Sequence, residues 1–199
     1  MKLFHSPGAC SLGIRVLMEE IGAPFETVIV DLKSGEHRQP AYMKLNPKAK
    51  VPALLRPDGR LLTEFPVIAL WLARQFPEKN LLPDGPEGDI DALELLDYVV
   101  STLHMRGATL AMRPDRFCQD PKGQEEVRKS GREVLTVGFE RLEEQLGEKE
   151  WFFGHMTIVD MAVFYLVHWQ PRYDLPLTPR LKAFHERMME RPAVKRALA

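Results

Sequence analysis

Met1-Lys-Leu-Phe-His-Ser-Pro-Gly-Ala-Cys-Ser-Leu12 holds a strand, a turn and a helix start in one short stretch. Lys2 to His5 is an apolar run that reads as a strand, and Ser6-Pro7-Gly8 reads as a turn. Beyond it Leu12, Val16, Leu17 and Ile21 recur at helical spacing. Cys10 falls where that helix begins. Unpaired N–H groups and the positive end of the helix dipole favour a thiolate there, which makes Cys10 a candidate reactive residue. The opposing reading is a small buried apolar residue, since free cysteines are among the most buried side chains. This context alone leaves both open.

Composition narrows the class. A chain of 199 residues suits one or two small domains with a substantial core. Its 27 basic and 28 acidic residues give a net charge of −1 with no long basic tract, which argues against a nucleic-acid partner needing phosphate neutralisation. Pro7, Gly8 and Arg15 interrupt the apolar core that a secretion signal would need. The apolar stretch from Ile158 to Trp169 contains Asp160 and is too short to span a bilayer. Two cysteines, Cys10 and Cys118, make no disulfide framework and fit a reducing compartment. The expectation is a soluble cytoplasmic protein with no membrane partner and no metal.

The two halves differ in pattern. Phe25 to Val30 reads as a second strand after the Gly22-Ala23-Pro24 stop. Val51 to Leu55 and Arg60 to Leu62 flank Pro57-Asp58-Gly59 as a hairpin, and Thr63 precedes a helix from Glu64 to about Gln75. Residues 1–76 therefore predict a small mixed α/β domain, with an irregular segment between its second strand and the hairpin. Residues 77–88, rich in proline and glycine, read as a linker. Residues 89–199 predict an all-helical domain, with helices from Ile90 to about Met112, Gly123 to Leu146, Thr157 to about Trp169, Pro179 to Glu190 and Ala193 to Leu198. Thr157-Ile-Val-Asp160 is a capping-box pattern, read as a folding determinant and not as a catalyst.

Taken together these pieces resemble the cytosolic glutathione transferases over nearly the whole chain. The resemblance rests on Ser6-Pro7-Gly8-Ala9-Cys10-Ser11-Leu12, Asn46-Pro47-Lys48, Val51-Pro52-Ala53-Leu54, Leu62-Thr63-Glu64 and the Thr157/Asp160 cap, in that order. The first motif and Leu103-His104-Met105 are similar to the bacterial beta class. It implies a thioredoxin-like α/β N-terminal domain, an all-α C-terminal domain, glutathione as co-substrate and a homodimer.

The resemblance also implies roles. Val51-Pro52 would be the family's cis-proline turn, leaving the Val51 backbone to pair with the cysteinyl backbone of glutathione. Glu64 would accept from the ligand's ammonium, while the helix-end N–H groups receive its carboxylate. A serine or threonine usually follows that glutamate; here Phe65 offers only its backbone N–H. Losing that hydroxyl bond forfeits roughly 1.5–3 kcal/mol. Lys33 would face the glycyl carboxylate, the other reading being a surface lysine in a loop. His104 would approach the sulfur as thiolate stabiliser or acid–base partner, against the alternative of a histidine satisfied inside the bundle. Cys10 stands where the beta class places a cysteine, Ser11 is a second candidate donor to the sulfur, and His5 replaces a frequent aromatic hydroxyl without an assigned role. Cys118 has no helix-start context and reads as structural or incidental.

The reading that follows is a transferase that activates the glutathione thiol for attack on a small electrophile, with thiol–disulfide exchange through Cys10 as a variant. No Cys-x-x-Cys motif is present, so exchange would be monothiol. Met105, Leu110 and Met112 on the first long helix of the second domain would line part of the acceptor pocket. Phe65 keeps open the alternative of a non-catalytic binding or regulatory scaffold of the same fold.

Overall fold

A computed structural model describes all 199 residues, which form two compact units. The first comprises Met1–Leu81 together with Glu190–Ala199, and the second Leu82–Met189.

The first unit is built on four short strands, β1 (Lys2–His5), β2 (Glu26–Ile29), β3 (Ala53–Leu55) and β4 (Leu61–Thr63). Their order across the sheet is β2-β1-β3-β4. β1 runs parallel to β2, with Leu3 opposite Thr27, and antiparallel to β3, with Leu3 opposite Leu54. The parallel step needs a crossover, and α1 (Ser11–Ile21) supplies it. That helix ends at Gly22, whose φ of 74° is the left-handed conformation a helix C-terminus favours in glycine. The β3–β4 connection is the hairpin expected over Pro57-Asp58-Gly59. One side of the sheet carries an apolar cluster of Phe4, Val30, Tyr42 and Ala53, against which Val51 and Leu55 pack.

The segment expected to be irregular contains a short helix, α2 (Pro40–Leu45), which buries only Tyr42. A single buried aromatic leaves no periodic apolar stripe to read. α3 (Phe65–Gln75) buries Phe65, Ile68, Ala69, Leu72 and Ala73. The closing helix α9 (Pro192–Leu198) is the second departure. It follows the helical domain in sequence, yet packs on α1 of the first unit. Ala193, Val194 and Ala197 are buried there, and ion pairs flank them: Arg191 Nη2 donates to Glu20 Oε2 at 2.9 Å, and Arg196 Nε to Glu19 Oε2 at 2.7 Å.

In the second unit the expected helix over Ile90 to Met112 is not uniform. It begins as α4 (Gly88–Asp97), widens into a π-helical stretch over Tyr98–Ala108, and finishes as α5 (Thr109–Met112). The long helix α6 (Pro121–Leu146) lies against the widened stretch. Gly131 permits that approach, since a Cβ there would sit 2.4 Å from the Ala111 nitrogen and 2.7 Å from the Gly107 carbonyl oxygen. α7 (Ile158–His168) is buried from Ile158 through Val167, the central position its unbroken apolar run predicts. α8 (Pro179–Glu190) completes the unit through Leu181, Phe184 and Met188.

The capping box at α7 forms as expected. Asp160 Oδ2 accepts from the Thr157 N–H at 2.7 Å and the Thr157 hydroxyl at 3.0 Å, and Oδ1 accepts from the Phe152 N–H at 3.2 Å. Burial pushes the Asp160 carboxyl up to about 6, against the downward pull of those donors. Cys118 has more helix context than its sequence suggests: it lies just before α6, and its thiol donates to the carbonyl of Asp120, the residue that caps the helix by accepting from the Gly123 N–H.

Candidate active site

Three elements of the first unit carry the candidate residues. Cys10 stands at the start of α1 with φ −58° and ψ −22°, and no side chain caps that helix. Its Sγ lies 3.6 Å from the Val51 carbonyl oxygen and donates to it. Val51 and Pro52 are joined by a cis peptide just before β3. A thiol and the backbone that leads into β3 therefore meet at one point.

The electrostatics at Cys10 run opposite to the expectation. Burial pushes its thiol up to about 12, ahead of the opposing bonds from the Cys10 and Ser11 backbone, with Lys50 lowering it and Glu64 raising it further. A helix end contributes only about 0.3–1 kcal/mol to an anion. Taking a thiolate out of water costs more than that, so in this structure Cys10 is a neutral thiol.

Ser11 does not face outward. Its side chain is fully buried, and its Oγ sits 2.8 Å from His5 Nδ1, accepts from the Ser6 N–H at 3.2 Å and lies 3.4 Å from the Ser6 carbonyl oxygen. This network supplies the role that His5 lacked. Burial, followed by the nearby Arg15 guanidinium, holds the His5 imidazole down at about 4, so it is neutral at pH 7. Together the pair ties the end of β1 to the first turn of α1, beside the thiol.

The third element is the start of α3. Glu64 takes φ 71° and ψ 127°, a conformation that L residues rarely adopt, and it contributes no side-chain cap to the helix. Its carboxylate reaches outward, where Lys48 Nζ donates to Glu64 Oε1 at 2.7 Å and to Thr63 Oγ1 at 2.9 Å. Phe65, next in sequence, is only 3 % exposed, so its ring is part of the packed interior. Lys33 lies in an exposed loop after β2, its backbone N–H donating to Asp31 Oδ1 at 2.8 Å in a side-chain-stabilised turn.

His104 belongs to the second unit, in the π-helical stretch. Its Nδ1 is 3.2 Å from the Tyr165 hydroxyl, and its ring meets Tyr165 and Trp169 edge-on at centroid distances of 5.5 and 5.0 Å. Met105 and Leu110 face a pocket of about 310 Å³ with Ser101, Arg106 and Phe117, whereas Met112 lines a different cavity with Arg128, Arg132 and Arg172. The three apolar residues expected on one lining thus divide between two.

The structure brings together Cys10 with Val51, Ser11 with His5, and Glu64 with Lys48. Sequence reasoning missed the last two pairings. Lys48 was visible in the Asn46-Pro47-Lys48 motif, but nothing in its spacing points to Glu64. The widening around His104 left no sequence signal at all.

Comparisons with known proteins agree with this architecture. Residues 8–75 match the family model for the glutathione S-transferase N-terminal domain, and residues 100–192 match that for the C-terminal domain. The chain is 37% identical to glutathione S-transferase GstA of Escherichia coli O157:H7, over 100% of this chain and 98% of that protein. Among solved structures, a beta-class glutathione S-transferase from Sphingomonas chungbukensis is similar, with a TM-score of 0.85 and 30% identity over 100% of this chain and 97% of that one. So is a sphingomonad glutathione S-transferase complexed with glutathione, with a TM-score of 0.84, 30% identity and the same coverage.

Proposed function

This chain belongs to the glutathione S-transferase family, and from that membership we propose that it is a glutathione-dependent transferase of the beta class. In this reading the first unit binds glutathione and activates its thiol, and the acceptor is a small electrophile. The observation that carries it is the placement of the Cys10 thiol 3.6 Å from the Val51 carbonyl oxygen. A cysteinyl backbone pairing with Val51 as an added strand would set its own sulfur at the start of α1, beside Cys10. Glu64, already held in an uncommon backbone conformation at an uncapped helix start, would take the γ-glutamyl ammonium. Lys33 would serve the glycyl carboxylate from its exposed loop, and the Phe65 N–H would take part at the glutamyl end.

The roles of the remaining residues follow from their surroundings. Ser11, with His5, would support the first turn of α1 rather than donate to the sulfur, because its hydroxyl is buried and engaged. His104 would be the acid–base candidate of the second unit, oriented by Tyr165. Conjugation ranks ahead of thiol–disulfide exchange, because exchange needs a Cys10 thiolate and burial opposes one. The scaffold alternative is not favoured: Phe65 withdraws its ring into the interior, and the other members of the constellation are present together. A homodimer in the cytoplasm completes the reading.

Calorimetric titration of the reduced protein with glutathione, beside Cys10→Ala, tests it. Saturable binding at millimolar affinity or better by the unaltered protein, with conjugation of a chromogenic aryl halide retained in Cys10→Ser, is the expected result. No binding by either form would overturn it.

A further inference from the structure

The γ-glutamyl end of glutathione is a free amino acid, with an ammonium and a carboxylate on one carbon. The start of α3 presents the complementary pair. Lys48 Nζ and Glu64 Oε1 are 2.7 Å apart, with Thr63 Oγ1 2.9 Å from the same ammonium. We infer that Lys48 is a specificity-determining residue, which joins the helix-end N–H groups in holding the α-carboxylate of the ligand while Glu64 takes its α-ammonium. The inference rests on the glutathione reading above and extends it to a residue with no assigned role.

The geometry supports an exchange of partners. Both side chains of the pair are more than half exposed, at 55% and 57%, so the bond between them is weak and easily separated. An amino acid's charged groups are about as far apart as the two partners of a salt bridge, so one ligand end can insert and replace a single ion pair by two. The backbone that carries Lys48 is firmly held, which favours recognition over a chance surface contact. Buried Asn46 donates from Nδ2 to the Lys50 carbonyl at 2.9 Å and accepts from the Lys48 N–H at 3.2 Å, and the Tyr42 hydroxyl donates to the same Lys50 carbonyl at 2.7 Å. A lysine on a fixed turn, aimed at a glutamate on a fixed helix start, makes a two-point reader of the zwitterion. Glutathione carries only one such group. This arrangement would therefore discriminate against thiols lacking either charge.

Calorimetry on the full chain with three ligands separates the possibilities: glutathione, γ-aminobutyryl-cysteinylglycine, which lacks the α-carboxylate, and glutaryl-cysteinylglycine, which lacks the α-ammonium. Lys48→Met should raise Kd for glutathione and for the glutaryl analogue by about fivefold to tenfold. It should leave Kd for the γ-aminobutyryl analogue unchanged, and Lys48→Arg should restore most of the affinity. An equal loss with the γ-aminobutyryl analogue would mean that Lys48 acts only by holding Glu64, and would overturn the inference. So would an unchanged Kd for glutathione. Failure of the glutathione reading itself looks different, because the unaltered protein would then bind none of the three, and both readings would fall.

Discussion

At Thr157 the first turn of α7 closes on its own side chains, whereas at Glu64 the first turn of α3 is left without a cap. Every helix start faces the same problem of backbone N–H groups that have no partner inside the helix. In α7 the answer is internal. Thr157 and Asp160 satisfy one another and reach back to the Phe152 N–H, all within a buried interior. In α3 the N-cap glutamate holds a disfavoured φ of 71° and extends its carboxylate to an exposed lysine. The first start is finished by the chain's own buried side chains, while the second directs its N-cap carboxylate to an exposed ion pair, at some cost in backbone strain. The same element thus serves the interior in one place and faces the surface in the other.

Four changes test this contrast between the two helix starts. Asp160→Ala removes the acceptor for several buried donors and should cost about 4 kcal/mol, lowering Tm by about 8–16 °C in a scanning calorimeter. Glutathione affinity per folded molecule should stay constant; a loss of affinity would show that the sealed start also serves the ligand.

Phe65→Ser should act on both sides at once. Truncating a buried ring costs about 3 kcal/mol through the cavity it leaves, read as a lower urea midpoint. The new hydroxyl at the α3 start should tighten glutathione. An unchanged Kd would show that the missing donor is supplied elsewhere.

Glu64→Gly reverses the pattern. Glycine relieves the steric cost of positive φ but frees the unfolded chain, so stability should rise by about 0.5 kcal/mol. Affinity should fall about tenfold or more with the lost carboxylate. A variant that lost stability would place the Lys48–Glu64 ion pair above the backbone strain.

The smallest effect is in pH. His5, beside the α1 start, is held at about 4 against an ordinary 6.5, so the unfolded chain binds its proton first. Its contribution is complete above pH 6.5 and is lost as pH falls toward 4. Asp160 is raised to about 6 from 3.8, so the proton-linked part of its contribution, distinct from the bonds its oxygens accept, is present below pH 3.8 and is lost as pH rises through 6. These slopes oppose one another. The loss of stability on acidification, to which His168 and His185 also contribute because burial lowers them too, should therefore be partly masked in the urea midpoints of the unaltered protein between pH 4.5 and 6. Asp160→Asn removes one of them and should expose a clear loss on acidification; a flat profile in that variant would clear His5 of the role.

Short-range grammar made much of this legible in advance. The β1–turn–α1 opening, the Pro57-Asp58-Gly59 hairpin and the Thr157/Asp160 box are all set by residues within a few positions of one another, where backbone preference and side-chain reach decide the outcome. The identity of the candidate site was legible as well, because Cys10, Val51-Pro52 and Glu64 carry it in recognisable motifs. What the sequence could not convey depends on distant neighbours. Ser11 and Cys10 are adjacent at one helix start, yet packing buries the hydroxyl against His5 and sets the thiol on the Val51 carbonyl, where loss of water outweighs the helix dipole. Lys48 finds Glu64 only because β3 and β4 lie between them and fold back as a hairpin. α9 leaves the helical part of the chain to pack on α1 because Ala193, Val194 and Ala197 are buried there, with Arg191 and Arg196 pairing to glutamates far away in sequence. Local propensity is written residue by residue, whereas burial, desolvation and charge pairing belong to no residue until the chain has closed around it.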